Sequence, residues 1–394
     1  MQASALMKAG HDVTVVPMYL PMQFATGDIP VFFPAVSYYL EQAIFKKGNM
    51  PAWLNRFASS KMFLGLAASL SGTTSAEGME GMTMSMIRGA DGAFKKNLAE
   101  MTEWIRRDGI PDVIHIASSL LIGIAAPIKA ELGVPVVCSL QDEEVWIDSL
   151  KDGWPEVAWE AIAGSVSGVD AFVTISDYYR AKAEKKTGIS PTVIYSGFYI
   201  EKYYCESLPA SPTIGFFYRM NRLDGLDILA RAFVILKEKG SIKDLKLRIG
   251  GGSTRSDRRF IAKVLSSLKP YLDDVVIEEK YSPLAHHLFY RDITVLSVPL
   301  RFDEGAGFYV CEAFAAGRPV VEPRRGSFPE IASEGGLLYE DERPEGLAAA
   351  LEKMLLDKDL YDSKRGNALR LARERYAADR CADSLLKLYE SIIQ

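Results

Sequence analysis

The sequence predicts an α/β protein of two Rossmann-like domains, and three observations carry that expectation. The chain has 394 residues, more than one hydrophobic core accommodates, so two domains are the natural division. Its second half alternates short apolar runs with amphipathic segments, the pattern of a parallel sheet covered by helices on both faces. Its first half repeats the alternation more loosely.

Taken in order, MQASALMKAG reads as the end of a helix closed by Gly10, and HDVTVVP (11–17) as the strand after it. A doubly wound domain ordinarily opens with a strand and a glycine-rich turn ahead of such a helix. Neither is visible, so the first strand and its phosphate-approaching loop are expected to be missing. A mostly helical excursion follows over about 33–107. Its aromatic cluster, Phe32, Phe33, Tyr38, Tyr39, Trp53 and Phe57, is read as helix packing. PDVIHI (111–116), PVVCSL (135–140) and DAFVTIS (170–176) are the remaining strands of this half.

GFYIEKYYCESLPASP (197–212) lacks periodicity and carries prolines, so it reads as a link. Beyond it, TIGFFY (213–218) is a strand, 225–239 a helix, LKLRIGGG (245–252) a strand and 256–268 a helix. DVVIEE (274–279) is the next strand. A short helix is expected after it, with Ser282 as N-cap and Pro283 in the first turn. ITVLSVP, PVVEP and GLLY complete the sheet. The last segment is apolar on one helical face through Leu385, Leu386, Leu388, Tyr389 and Ile392. The expected division is 1–200, 201–375, and a terminal helix over 376–394 that returns to the first domain. The two domains are expected to face each other across a cleft.

Composition excludes several classes of function. A net charge of −5 disfavours general nucleic-acid binding, which needs basic surface to displace counterions. Cys138, Cys205, Cys311 and Cys381 are far apart, without the spacing of a disulfide framework or a zinc site. No apolar run reaches the length of a membrane span, and no signal peptide is visible. A cytoplasmic protein is expected, with peripheral attachment at the inner membrane face left open.

The most informative stretch is EGAGFYVCEAFAAGRPVV (304–321). It places Glu304 in a glycine-containing loop and Glu312 along the helix that begins near Gly307. Glycines let a backbone approach a ligand closely, and a helix N-terminus offers free N–H groups. Phe308, Cys311, Phe314 and Ala315 are expected as the inward stripe, with Glu312 on or beside it. Gly317 and Pro319 stop the helix. Both carboxylates are thus expected to reach one ligand, Glu312 roughly 8 Å further along the axis.

With these residues in view, the chain resembles the family-four retaining glycosyltransferases of the GT-B fold. The resemblance rests on Glu304-x7-Glu312 with AFAAGRPVV and EPRRGSFPEI, and extends to AGHDVTVVP, PDVIHI, GVPVVCSLQDEE, the helix start at 176–181 and VIYSG. It implies transfer of a hexose-type sugar from a nucleotide-diphosphate sugar, with retained configuration and no metal or other cofactor. The acceptor is a glycan, lipid-linked or small molecule. By the resemblance, Glu304 meets donor-sugar hydroxyls, the backbone of Gly305, Ala306, Gly307 and Phe308 meets the sugar or phosphate, and Glu312 binds the ribose diol.

Arg219, just past TIGFFY, matches the family's diphosphate-binding arginine. The lysine expected five residues later is Asp224, and Arg222 is a candidate substitute. Where the family often has a histidine after the third strand listed above, this chain has Gln141 and then Asp142, read together with His115 as acceptor or cleft contacts. His286 and His287 read as surface packing. Arg324 and Arg325 are either phosphate-attracting or a solvated rim. The alternative to an enzyme is a non-catalytic nucleotide-sugar binder or scaffold, suggested by Asp224 and the missing first loop.

Overall fold

A computed structural model describes residues 2–16, 79–91, 95–278 and 286–393. The aromatic cluster at 32–57 and the Ser282–Pro283 cap lie outside the described residues. By contact the chain divides into two units: Ala3–Ile194 with Ala382–Gln394, and Met1–Gln2 with Tyr195–Cys381.

Among the described residues the N-terminal unit holds four parallel strands in sequential order, β1 (Ile114–Ile116), β2 (Val136–Leu140), β3 (Ala171–Thr174) and β4 (Thr192–Val193). Every residue of β2 is buried, which is why VVCSL shows no polar alternation. The helix Gln2–Lys8 is followed by Gly10 at φ 94°, as its sequence suggests. The strand expected at 11–17 does not form over the described residues 11–16, where only Val15 makes a bridge. None of these residues is fully buried, although Val16 packs against the core of the unit. Within this unit, the Tyr389 hydroxyl on the terminal helix Ala378–Ile392 bonds His115 Nδ1 at 2.5 Å.

Among the described residues the C-terminal unit forms a six-stranded parallel sheet in the order β10-β9-β8-β5-β6-β7. Its strands are β5 (Thr213–Phe217), β6 (Lys246–Gly250), β7 (Val275–Glu278), β8 (Val295–Leu296), β9 (Val320–Pro323) and β10 (Gly336–Tyr339). Strand order reverses between β5 and β8, which pair directly through Ile214 with Val295 and Gly215 with Leu296. In doubly wound sheets, ligands bind outside the carboxyl ends of the strands at such a reversal. The helix Leu226–Lys239, which follows β5, buries Leu226, Leu229, Ala230, Phe233 and Leu236. Among the described residues no helix is long and apolar enough to cross a membrane.

Candidate functional site

The loop after β8 leads into the helix Phe308–Ala315. Gly307 precedes it at φ 56°, a left-handed conformation, and a Cβ there would stand 2.0 Å from Ile331 Cδ1. Glycine suits that turn, because any side chain there would take a left-handed backbone and displace the Ile331 methyl. Tyr309, Val310, Cys311, Ala313, Phe314 and Ala315 are buried, whereas Phe308 is 41% exposed and Glu312 is partly open. Phe308 therefore does not belong to the inward stripe expected from sequence. The helix is sheathed around most of its circumference, and Phe308 with Glu312, four residues apart, forms its open stripe.

Glu304 is 5% exposed. Its Oε1 accepts the N–H groups of Ala306 at 3.0 Å and Gly307 at 3.1 Å, and its Oε2 accepts the Tyr218 hydroxyl at 3.3 Å. Tyr218 directly follows β5, so this last bond joins the carboxyl ends of β5 and β8 at the strand-order reversal. Gly326, at φ 52°, packs against the Glu304 backbone, where a Cβ would lie 2.6 Å from its nitrogen. Gly305, Ala306 and Gly307 are buried. Two of the backbone donors expected to face a ligand are thus engaged by Glu304 itself.

Glu312 is held by side chains that sequence reading did not connect with it. Its Oε1 accepts the Tyr203 hydroxyl at 2.8 Å and lies 3.0 Å from His286 Nε2. Its Oε2 accepts the Tyr290 hydroxyl at 2.6 Å. Burial, then the Glu312 charge, raises both phenols above their ordinary range, so they remain donors. His286 is consequently no surface-packing residue, since its ring also lies near-parallel to that of Phe217.

Arg219 projects from the same end of β5 and is half exposed, with contacts of 3.4 Å to Thr254 Oγ1 and Asp257 Oδ2. Arg222 is exposed on the turn that follows. Asp224 is only 4% exposed. Burial pushes its carboxyl up to about 7, against the pull of Arg219 and with a further push from Glu304. Near neutral pH much of it is therefore uncharged, which softens the charge reversal seen in the sequence. Arg324 pairs with Glu340 at 2.6 Å and Arg325 with Glu342 at 2.9 Å. Both arginines therefore have local carboxylate partners.

In the N-terminal unit His115 is an internal strut. Its Nε2 bonds Ser139 Oγ at 2.8 Å, its Nδ1 is taken by Tyr389, and burial lowers its pKa to about 4. With both ring nitrogens engaged inside the unit, its expected role as a cleft contact is not supported. Gln141 Nε2 donates to the Ala117 carbonyl at 2.7 Å, and Asp142 adopts φ 57°. The residue that organises this loop is Glu143, which sequence reading passed over. Its Oε1 accepts Ser118 Oγ at 3.0 Å and Ser119 N–H at 2.9 Å. Its Oε2 accepts Gln141 N–H at 2.7 Å and the Tyr179 hydroxyl at 3.0 Å. Its pKa is raised by burial, partly offset by these donors. The signal available in the sequence was its place in the middle of three consecutive acidic residues, Asp142, Glu143 and Glu144, one residue past a buried strand.

A doubly wound unit with paired glutamates at its strand-order reversal defines the class, and comparison with known proteins agrees. A UDP complex of HepE from Anabaena superposes with a TM-score of 0.64 at 16% identity, covering 78% of this chain and 96% of that one. The fold is GT-B. Residues 211–357 match the glycosyl transferases group 1 model, and residues 90–202 match the glycosyltransferase family 4 model. The chain belongs to the family-four glycosyltransferases.

A D-inositol 3-phosphate glycosyltransferase from Corynebacterium jeikeium is 32% identical over 45% of this chain and 43% of that relative. An uncharacterized glycosyltransferase from Methanocaldococcus jannaschii is 25% identical over 73% of this chain and 77% of that relative. The chain spans less than half the length of the first curated relatives it matches.

Proposed function

We propose that the protein is a retaining glycosyltransferase that moves a hexose-type sugar from a nucleotide-diphosphate sugar to a glycan, lipid-linked or small-molecule acceptor. The observation that carries this reading is the placement of Glu304, buried at the carboxyl ends of β5 and β8 and beside a helix N-terminus. Glu304 has remaining acceptor capacity on Oε2 for donor-sugar hydroxyls. Glu312, on the open stripe of the helix, takes the ribose diol by exchanging one of its tyrosine or histidine contacts. Arg219 is loosely tied and half exposed, so it is able to swing onto the diphosphate, with Arg222 next to it.

In the proposed reaction the acceptor hydroxyl oxygen bonds the anomeric carbon on the face that the diphosphate leaves. The bond from that carbon to the phosphate oxygen breaks, and the hydroxyl proton passes to the departing phosphate. The protein contributes positioning and charge stabilisation. The transfer is proposed to need no metal, so a chelator should leave the rate unchanged. The Anabaena protein was solved with UDP, which supports UDP-sugars as the first donors to try.

One observation favours a second reading. Asp224, where the family carries a lysine, is a buried acid whose carboxyl is influenced by Glu304, which suits a protein that binds nucleotide sugars without transferring them. Titration calorimetry with UDP-, GDP- and ADP-sugars, paired with a product assay, separates the two. Binding with turnover supports transfer, and binding without turnover supports the second reading. Absence of binding to all three sugars would defeat both.

A further inference from the structure

The segment 197–212, read from sequence as a link, contains a cysteine in an unusual setting. Cys138, Cys311 and Cys381 are buried, while Cys205 is partly exposed. Its Sγ lies 3.2 Å from Ser207 Oγ and 3.6 Å from the Ser207 carbonyl oxygen. The same turn is gripped by Arg318, whose exposure is 0%. Arg318 Nη2 donates to the Ser207 carbonyl at 2.7 Å and the Arg291 carbonyl at 3.1 Å, and its Nε to the Tyr290 carbonyl at 2.9 Å.

Arg318 Nη1, however, has no hydrogen-bond partner, and the guanidinium faces the Cys205 thiol. A buried cation beside a sulfur favours the thiolate, which offsets the charge. Arg291 adds a second positive charge nearby. Arg365, on the helix Lys358–Glu374, fixes the backbone between Cys205 and Ser207 by donating to the Glu206 carbonyl at 2.5 Å. The hydrogen bond from Ser207, then the two arginine charges, hold the thiol below the ordinary cysteine range.

We propose that Cys205 is a reactive thiolate and a site of reversible S-thiolation by small disulfides, anionic ones above all. The Cys205 sulfur attacks one sulfur of the disulfide. A new S–S bond forms, the old one breaks, and the second half leaves as its thiolate. The Cys205 sulfur is oxidised and the departing sulfur reduced, so no further oxidant is needed. Partial exposure supplies access, and the arginines supply both the thiolate and the preference for negative charge.

The test is the reaction of the full-length native protein with the anionic disulfide dithiobis(nitrobenzoate), followed by released thionitrobenzoate across a pH series. One thiol per chain should react in a fast phase, about tenfold faster at pH 7 than a cysteine in an unstructured peptide, with a pH midpoint below about 8.5. Cys205→Ser should abolish that phase. Ser207→Ala, at an exposed position, should move the midpoint upward, and Arg318→Gln should move it further if the variant folds. A fast phase that survives Cys205→Ser, or a midpoint at or above about 8.5, would overturn the assignment.

Discussion

Each unit keeps a glutamate buried just past a sheet strand, and the two are satisfied in different ways. Glu143, after β2, receives four donors from separate parts of its unit, two on each oxygen. Glu304, after β8, receives two donors from its own loop on one oxygen and a single 3.3 Å bond on the other. A carboxylate offers about four lone-pair sites. Glu143 has all of them filled from within the protein and pins a loop, whereas Glu304 keeps capacity for a ligand. Position after a strand does not separate a structural acid from a ligand-binding one, but the count and origin of its donors does.

The comparison breaks first at Glu304. Glu304→Gln is expected to lower transfer on the order of a hundredfold, by removing charge from the reacting end of the site. The unfolding midpoint should hardly move, because the amide oxygen still accepts the two loop N–H groups. Steady-state kinetics beside a urea titration measure both quantities. Glu143→Gln should behave in the opposite way, losing about 3 kcal/mol of stability by turning a donor toward buried donors. The folded fraction should remain active.

Asp224 sharpens the comparison through pH. Its carboxyl titrates at about 7 in the folded chain, against an ordinary value of 3.8. Between these values the native state holds a proton that the unfolded chain has released, so this residue's contribution to stability falls as pH rises and levels off above about 7. Asp224→Asn should therefore gain stability relative to the parent from pH 4 to pH 8, on the order of 2 kcal/mol. Urea midpoints of the two proteins along that series measure the difference, and referencing each pH to the parent cancels other titrating groups such as His115. The smallest effect is expected for Tyr218→Phe. It should cost under about 1 kcal/mol of stability, since the bond it removes is long and Glu304 keeps its loop donors, and the same urea titration measures it.

Much of the C-terminal unit was legible because both faces of its sheet are covered, leaving mostly apolar runs such as TIGFF and PVVEP. Glu304, Glu312 and the glycine before the site helix were legible as a local pattern. The ring of Tyr203, Tyr290 and His286 around Glu312 was not, because those residues come from distant parts of the chain and meet only once the sheet forms. Phe308 was misread for a related reason. Helical spacing marks a stripe, but the helix is buried on nearly all sides, so its one open stripe became the informative one. At residues 11–16 the apolar pattern suggested a strand, yet over the described residues these side chains are at most partly covered, Val16 alone packing on the core of the unit. His115 lies in a strand as expected, but its two ring nitrogens are bonded to Tyr389, far along the chain, and to Ser139.

The most direct test is the affinity of the protein and its Glu312→Gln variant for the nucleotide sugar selected by calorimetry. The tyrosine and histidine contacts hold Glu312 in place and the open stripe presents it, so removing its charge should weaken binding at least about tenfold while the fold persists. Equal affinity in the two proteins would contradict the assignment of this helix to nucleotide-sugar binding.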